Sequence, residues 1–507
     1  RGDEPAVLLV RFVACNTHAQ PGVASIWFQV QPAEVLTVED GAVLAVAKQN
    51  ADEPVAYDGP RLRAQILTAD GMLEAVRLAG MANDAVRLRY QLAPGETATV
   101  TFAIPFVTLT DPVAWSSLHR LDYEAKRTEV VTYWRERIGA GAQIKVPEPT
   151  INTFYRAVIP HILISTDKDV PTGLYMNPAG TYRYDVFANE TCIQVRMLDM
   201  RGYHDLARRY LEPFLHYQGF GVLPGRFASQ RGVLHSAGPY TAAGYNLNHG
   251  WVLWTLAEHY WFTRDAQWLR WIAPHLVEGC QWIIQERMAT RRLNAGGERG
   301  PEYGLLPPGH LEDPVEWHPW YAVNAYAYRG LDAAARALAV IDHPEADQLL
   351  QEADAYREDI RASVRTAMLR SPVVRLRDGR YVPHVPTRAD IRGRDLGWIR
   401  DVLYGPTHLI DCGVFAPDEP EADWILHDHE DNLFLSESHG LGASGENWFS
   451  LGGITHQPNL VNTPLIYLRR DQIPLALRAF YNSFVASLYR DVNVFTEWLP
   501  SFGIGGG

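Results

Sequence analysis

Cysteine is scarce and dispersed. Cys15, Cys192, Cys280 and Cys412 include no close pair, so neither a zinc site nor a disulfide framework can be read from them. Long hydrophobic runs are missing as well: no apolar stretch reaches about 18 residues, and no membrane span is expected. Positive charge is in deficit, with 46 Lys and Arg against 59 Asp and Glu and a formal net charge of -13. A nucleic-acid partner, which needs a basic face, is therefore argued against. There is no Gly-rich phosphate loop, dinucleotide fingerprint or nucleophile elbow, so nothing asks for a nucleotide, flavin or other cofactor.

Aromatic residues, in contrast, are plentiful, with 15 Trp, 24 Tyr and 17 Phe. Many of the tryptophans stand beside Gly, His, Asn or acids rather than inside apolar runs. That mixture suits a sugar cleft, because sugar rings stack their C–H faces on indole while their hydroxyls need polar groups nearby. The competing reading is that large helical proteins use Trp as core filler. At 507 residues, 47% hydrophobic and 21% charged, the chain fits a globular protein with one large domain and a smaller one. It opens on Arg1-Gly-Asp3 and closes on Gly505-Gly-Gly507. Either end is compatible with a cut, and a secreted or periplasmic setting is favoured over the cytoplasm.

Residues 6 to about 110 alternate apolar and polar at period two, as in Val7–Val13, Ser25–Val30 and Ala98–Phe106, with turns at Asp70-Gly71 and Pro94-Gly95. This predicts an antiparallel β-sandwich over 1–115. Asp122–Ile138 switches to helical spacing, placing a linker helix in the region 116–147. From Pro149 the pattern is helical: Thr150–Ser165, Glu190–Tyr217, Tyr245–Phe262, Gln267–Met288, Tyr321–Ile341, Pro344–Leu369, Asn459–Arg470 and Pro474–Tyr489. Short turns (262–266 and 341–344) alternate with long aromatic loops (218–244, 289–320 and 430–458). All long loops are thereby predicted on one face, where a cleft would form.

One of those loops concentrates chemistry. Gly304–Tyr321 holds Glu312, Asp313 and Glu316 among two tryptophans, two histidines and four prolines, just ahead of the Ala-rich helix. A general acid must hold its proton near neutral pH, which requires apolar burial or a second carboxylate close by. Glu316, between Val315 and Trp317, offers the first condition; Glu312 beside Asp313 offers the second. Glu316 is favoured, then Glu312, then Asp313, while helix capping is the plain alternative for one or two of them. Glu446 in Ser444–Trp448 and Glu437 in Ser436–His439 sit in Gly-rich or His-flanked loop sequence that suits a base or a sugar-hydroxyl ligand. Trp317, His318, Trp320 and Trp448 flank these acids. Asn248, His249 and Trp251 open one predicted helix and His456-Gln457 another, so all five are candidates for the cleft floor. His427-Asp-His429 has a spacing that fits a strand or loop better than one helix face, and no third ligand pairs with it, so no metal is expected.

Asn248–Asp265, Trp271–Ile283, the Gly304-Leu-Leu-Pro stretch and Phe495–Gly503 together resemble the six-hairpin glycosidases, relatives of glucoamylase, processing α-glucosidase, trehalase and α-L-rhamnosidase. The resemblance covers about residues 110–507. It implies an (α/α)6-barrel catalytic domain over 148–507 behind the β-sandwich, and an enzyme that hydrolyses a glycosidic bond of an oligo- or polysaccharide, by inversion and preferably from a chain end. It further implies that the acid falls in the Glu312–Glu316 loop and that Glu497 in Phe-Thr-Glu-Trp stands where relatives carry the base, with Glu446 as its rival. Arg183 and Asp185 match an Arg-Asp pair that holds the terminal sugar, where bidentate hydrogen bonding to adjacent hydroxyls is the chemistry. A polysaccharide lyase, a disaccharide phosphorylase and a non-catalytic carbohydrate-binding protein are the competing functions on such a scaffold. Sugar, linkage and oligomeric state are not encoded legibly.

Overall fold

The computed structural model describes residues 6–29, 35–46, 61–69, 72–77, 84–107, 109, 112–179, 185–242, 244–312, 316–394, 405–433 and 462–495. The chain divides into two compact units, Arg1–Glu136 and Arg137–Gly507.

Among the described residues the first unit holds eight strands: β1 (Val7–Cys15), β2 (Gly22–Phe28), β3 (Val35–Glu39), β4 (Ala42–Val46), β5 (Arg61–Ala69), β6 (Met72–Arg77), β7 (Asp84–Leu92) and β8 (Thr97–Pro105). All pairings are antiparallel, in a five-stranded sheet ordered β1-β8-β5-β4-β3 and a three-stranded sheet ordered β2-β7-β6. Alternation gives each sheet one apolar face. Val43, Ala64, Val100 and Phe102 from the larger sheet meet Val86, Leu88 and Tyr90 from the smaller in one core. Asp40 and Gly41 both take positive φ (46° and 75°), which gives the tight β3–β4 turn the twist a hairpin needs. Pro94-Gly95 does form the turn between β7 and β8, with Gly95 at φ 76°; Asp70-Gly71 lies outside the described residues. Two helices follow, α1 (Pro112–Leu118) and α2 (Tyr123–Gly139), and the division between the units falls inside α2.

The second unit is helical: α3 (Pro149–Ser165), α4 (Ala188–Met200), α5 (His204–His216), α6 (Leu247–Thr263), α7 (Ala266–Met288), α8 (Tyr321–Val340), α9 (Ala346–Met368), α10 (Thr407–Asp411), α11 (Pro420–Asp428), α12 (Thr463–Arg469) and α13 (Ile473–Ser487). Its core is one continuous apolar cluster from Ile159 to Ala479. Packing follows an alternating rule: α4 lies on α6, α6 on α8, α8 on α10 and α10 on α12, each also touching the helix that follows it. Composition explains which helices lie inside. Glu258 is the only acid in α6, which is buried almost all round, whereas α9 buries a single stripe that includes Asp359 and leaves its other acids and its arginines outside it.

Two glycines set a close crossing of α6 and α8. A Cβ at Gly250 would stand 2.3 Å from the backbone carbonyl of Tyr326, and one at Gly330 would stand 2.7 Å from the carbonyl oxygen of Gly250. Only hydrogen fits between α6 and α8 there.

The helix predicted over Glu190–Tyr217 is two helices. Gly202 at φ 82° breaks it, and Tyr203 starts the return. Asn459–Arg470 shortens to α12, with residues 459–461 outside the described set. His427 and His429 belong to the end of α11 and a following π-turn, not to a strand or loop.

Candidate active site

The acid-bearing loop is tied down at its base. Arg287, fully buried in α7, donates from Nε to the carbonyl of Gly304 at 2.7 Å and from Nη2 to Asp359 at 2.9 Å. Burial lowers the Arg287 guanidinium to about 10. Gly304 takes φ 72°, and a Cβ there would meet Asp359 Oδ2 at 2.2 Å. Further on, Gly309 and His318 exchange both backbone hydrogen bonds (3.3 and 3.2 Å). Residues 310–317 are therefore the tip of a closed loop. Its first residues turn inward: Leu311 is fully buried and Glu312 is 3% exposed. Its last residues turn outward, with Glu316 exposed and Trp317 47% exposed. The burial expected of Glu316 is found at Glu312 instead, because the two arms of the loop face opposite ways. Asp313 lies outside the described residues.

Glu312 is bonded to the first turn of α4. Asn189, second residue of α4, donates from Nδ2 to Glu312 Oε1 at 2.8 Å, and its backbone N–H donates to Oδ1 of Asn248, second residue of α6, at 3.2 Å. One turn into α6, Trp251 stacks on Tyr326 of α8 with ring centroids 4.6 Å apart. The Tyr326 hydroxyl is held well above its ordinary value, by burial first and then by nearby acidic groups that include Asp411 and Glu312. It stays protonated and lies 2.9 Å from Nδ1 of His408, second residue of α10; Asn462, the N-cap of α12, brings its Nδ2 to 3.4 Å from the same nitrogen. Asn189 of α4 thus links the Glu312 carboxyl to Asn248 of α6, while Tyr326 of α8, His408 of α10 and Asn462 of α12 form a buried polar group joined to α6 through the Trp251–Tyr326 stack.

The other sequence candidates separate. Asn248 belongs to this cluster. His249 does not line a cleft: it is buried, Nδ1 accepts from the Leu234 N–H at 2.9 Å and Nε2 donates to the Gly279 carbonyl at 3.1 Å. Burial lowers it to about 3, so it is a neutral bridge between loop and helix. Trp251 and Trp320 are buried in the helix core. His318 pairs through Nδ1 with Asp390 at 2.7 Å beside the exposed Trp317, which places this pair at the loop rim. Asp185 is half-buried just before α4, and the Ala179 N–H donates to its carbonyl. Arg183, Glu437, Glu446, Trp448, His456, Gln457 and Glu497 lie outside the described residues.

The acids near His427 and His429 are bound elsewhere: Asp428 to His384 (2.7 Å) and Arg394 (3.4 Å), Glu430 to Tyr467 (2.6 Å), and Asp431 to the Arg377 N–H (2.9 Å). Among the described residues no three such groups stand as metal ligands, and no helix is long and apolar enough to cross a membrane. Sequence reasoning missed Asn189, Tyr326, His408 and Asn462. The available signal was their recurrence near helix starts, each beside Ala or Thr rather than in a charged run.

No protein-family model matches the chain, and no curated protein matches it in sequence. Among solved structures, a bacterial glucoamylase complexed with acarbose aligns at TM-score 0.52 and 10% identity, over 91% of this chain and 68% of its own. A point variant of a protein described only as a glycosidase aligns at TM-score 0.43 and 14% identity, over 69% and 87%. A Streptococcus pneumoniae protein described as a metal-independent α-mannosidase, in complex with α-1,6-mannobiose, aligns at TM-score 0.43 and 10% identity, over 74% and 92%. In fold the chain resembles the bacterial glucoamylase.

Proposed function

We propose that the protein is a glycoside hydrolase, built as a β-sandwich followed by an (α/α)6 barrel, that cleaves an oligo- or polysaccharide from a chain end with inversion. The observation that carries this reading is the burial of Glu312 against the first turn of α4, where Asn189 holds its carboxyl. A carboxyl buried beside Leu311 and held by the Asn189 amide has the surroundings of a proton donor to a glycosidic oxygen. The Asn189 amide donates to Oε1, a bond that a protonated carboxyl accepts as well as an ionised one. The second carboxylate, activating water from roughly 6.5–9.5 Å away, is assigned to Glu497 or Glu446. Trp317 and the His318–Asp390 pair, at the rim, are assigned to sugar binding, together with Arg183 and Asp185.

The test uses a panel of p-nitrophenyl α- and β-glycosides and unmodified disaccharides, with the anomer of the released sugar followed by NMR. On a sugar that is turned over, Glu312→Gln is expected to lower kcat by roughly 10²–10⁴ while the protein stays folded. Full activity of that variant sinks the assignment. Sugar binding without turnover across the panel would favour the non-catalytic carbohydrate-binding protein.

A further inference from the structure

We infer that Asn324 is a positioning residue for Glu312: its one buried amide fastens both ends of the acid-bearing loop and so fixes where the carboxyl stands. This rests on the reading of Glu312 as the proton donor. Asn324 is the fourth residue of α8 and is 1% exposed. Its Oδ1 accepts from the Leu306 N–H at 2.8 Å, where the loop begins, and from the Tyr356 hydroxyl of α9 at 2.7 Å. Its Nδ2 donates to the Trp320 carbonyl at 2.7 Å, where the loop ends. Entry and exit are therefore held on one planar group, and Glu312 lies between them in the chain.

The chemistry of the amide is specific to this task. It needs an oxygen with two lone pairs and an N–H donor on the same short, rigid plane. Asp has no donor for Trp320, Gln is a methylene too long, and Leu leaves a buried N–H and a buried hydroxyl unmatched. The tether is itself anchored. Tyr356 lies under the guanidinium of Arg287, 3.8 Å from ring centre to Cζ, and Arg287 binds the carbonyl of Gly304 two residues before Leu306. Helices α7, α8 and α9 thus converge on the loop's first residues, while the Gly309–His318 pair closes its waist. A proton donor displaced by about 1 Å loses on the order of 10²-fold in rate. The anchorage therefore acts on the chemical step more than on binding.

Asn324→Asp keeps the acceptor and loses the donor to Trp320. Tyr356→Phe removes one hydroxyl at a site remote from Glu312 and holds the test should Asn324→Asp not fold. For each, kcat, KM and the pH profile of kcat are measured on a sugar the enzyme turns over, with far-ultraviolet circular dichroism and Tm alongside. The expected result is a kcat lowered about 10–100-fold for Asn324→Asp and about 3–10-fold for Tyr356→Phe, with KM within about threefold and the pH profile displaced. The double variant should be no worse than Asn324→Asp, since both act through one amide. Lower Tm with kcat unchanged per folded molecule overturns the inference, as does a kcat loss that merely tracks the unfolded fraction. Glu312→Gln is run in parallel: if it abolishes turnover while both tether variants keep kcat, only the positioning role fails; if it is fully active, the reading of Glu312 itself fails.

Discussion

Glu312 and Glu316 stand four positions apart in one loop, and the first is buried where the second is exposed. Flanking residues predict burial for Glu316, between Val315 and Trp317, whereas the fold buries Glu312 beside Leu311 and leaves Glu316 and Trp317 exposed. A proton donor needs an enclosed site, whereas Glu316 is exposed. Glu316→Gln is therefore expected to keep kcat within about threefold, in contrast to the loss expected of Glu312→Gln; the same aryl-glycoside assay on both variants separates them. The acid loop itself was legible in sequence, as a knot of acids, prolines and tryptophans before a helix. Asn189 was not, because an asparagine in a first helical turn declares no partner until α4 is laid against the loop.

At the scale of elements, the inner helices depend on how closely they approach. Gly250 and Gly330 let α6 and α8 meet backbone to backbone, one turn or less from Asn248 and Trp251. A methyl at position 250 meets a carbonyl that cannot rotate away, so α8 must shift. Gly250→Ala is expected to cost at least about 1–3 kcal/mol, read as a lowered Tm or urea midpoint, and to slacken the Trp251–Tyr326 stack, read as a change in near-ultraviolet circular dichroism. Helix existence was read well from periodicity over α3, α6, α7, α8 and α9, whose apolar spacing is strong and whose ends carry local stops such as Asp265, which caps α7 through the Gln267 and Trp268 N–H groups. The reading failed at Gly202, where hydrophobic spacing continues across a break that only a left-handed glycine reveals. It also passed over α10 and α11, which are too short for their period to stand out.

For the molecule as a whole, two buried imidazoles tie stability to pH. Burial lowers His249 to about 3 and His235 to about 4, both below the ordinary value of 6.5. In the window below pH 6.5 the unfolded chain takes up protons that the folded chain refuses, so stability is full above 6.5 and falls as pH drops through the window. Each group contributes at most about 1.4 kcal/mol per pH unit there. The urea midpoint should therefore fall between pH 7 and pH 5, and His235→Gln should remove about half of the dependence due to this pair; an unchanged slope refutes the assignment. By itself the sequence determined the order of the molecule, strands first and paired helices after, because period-two and period-3.6 patterns are written in near neighbours. It also pointed to acidic, aromatic loops as the place to look for chemistry. Only the tertiary structure decided which acid is buried, since the Asn189–Glu312 contact spans 123 positions and the Asn324 tether joins three elements. Such contacts depend on how helices pack, and local composition carries no record of it.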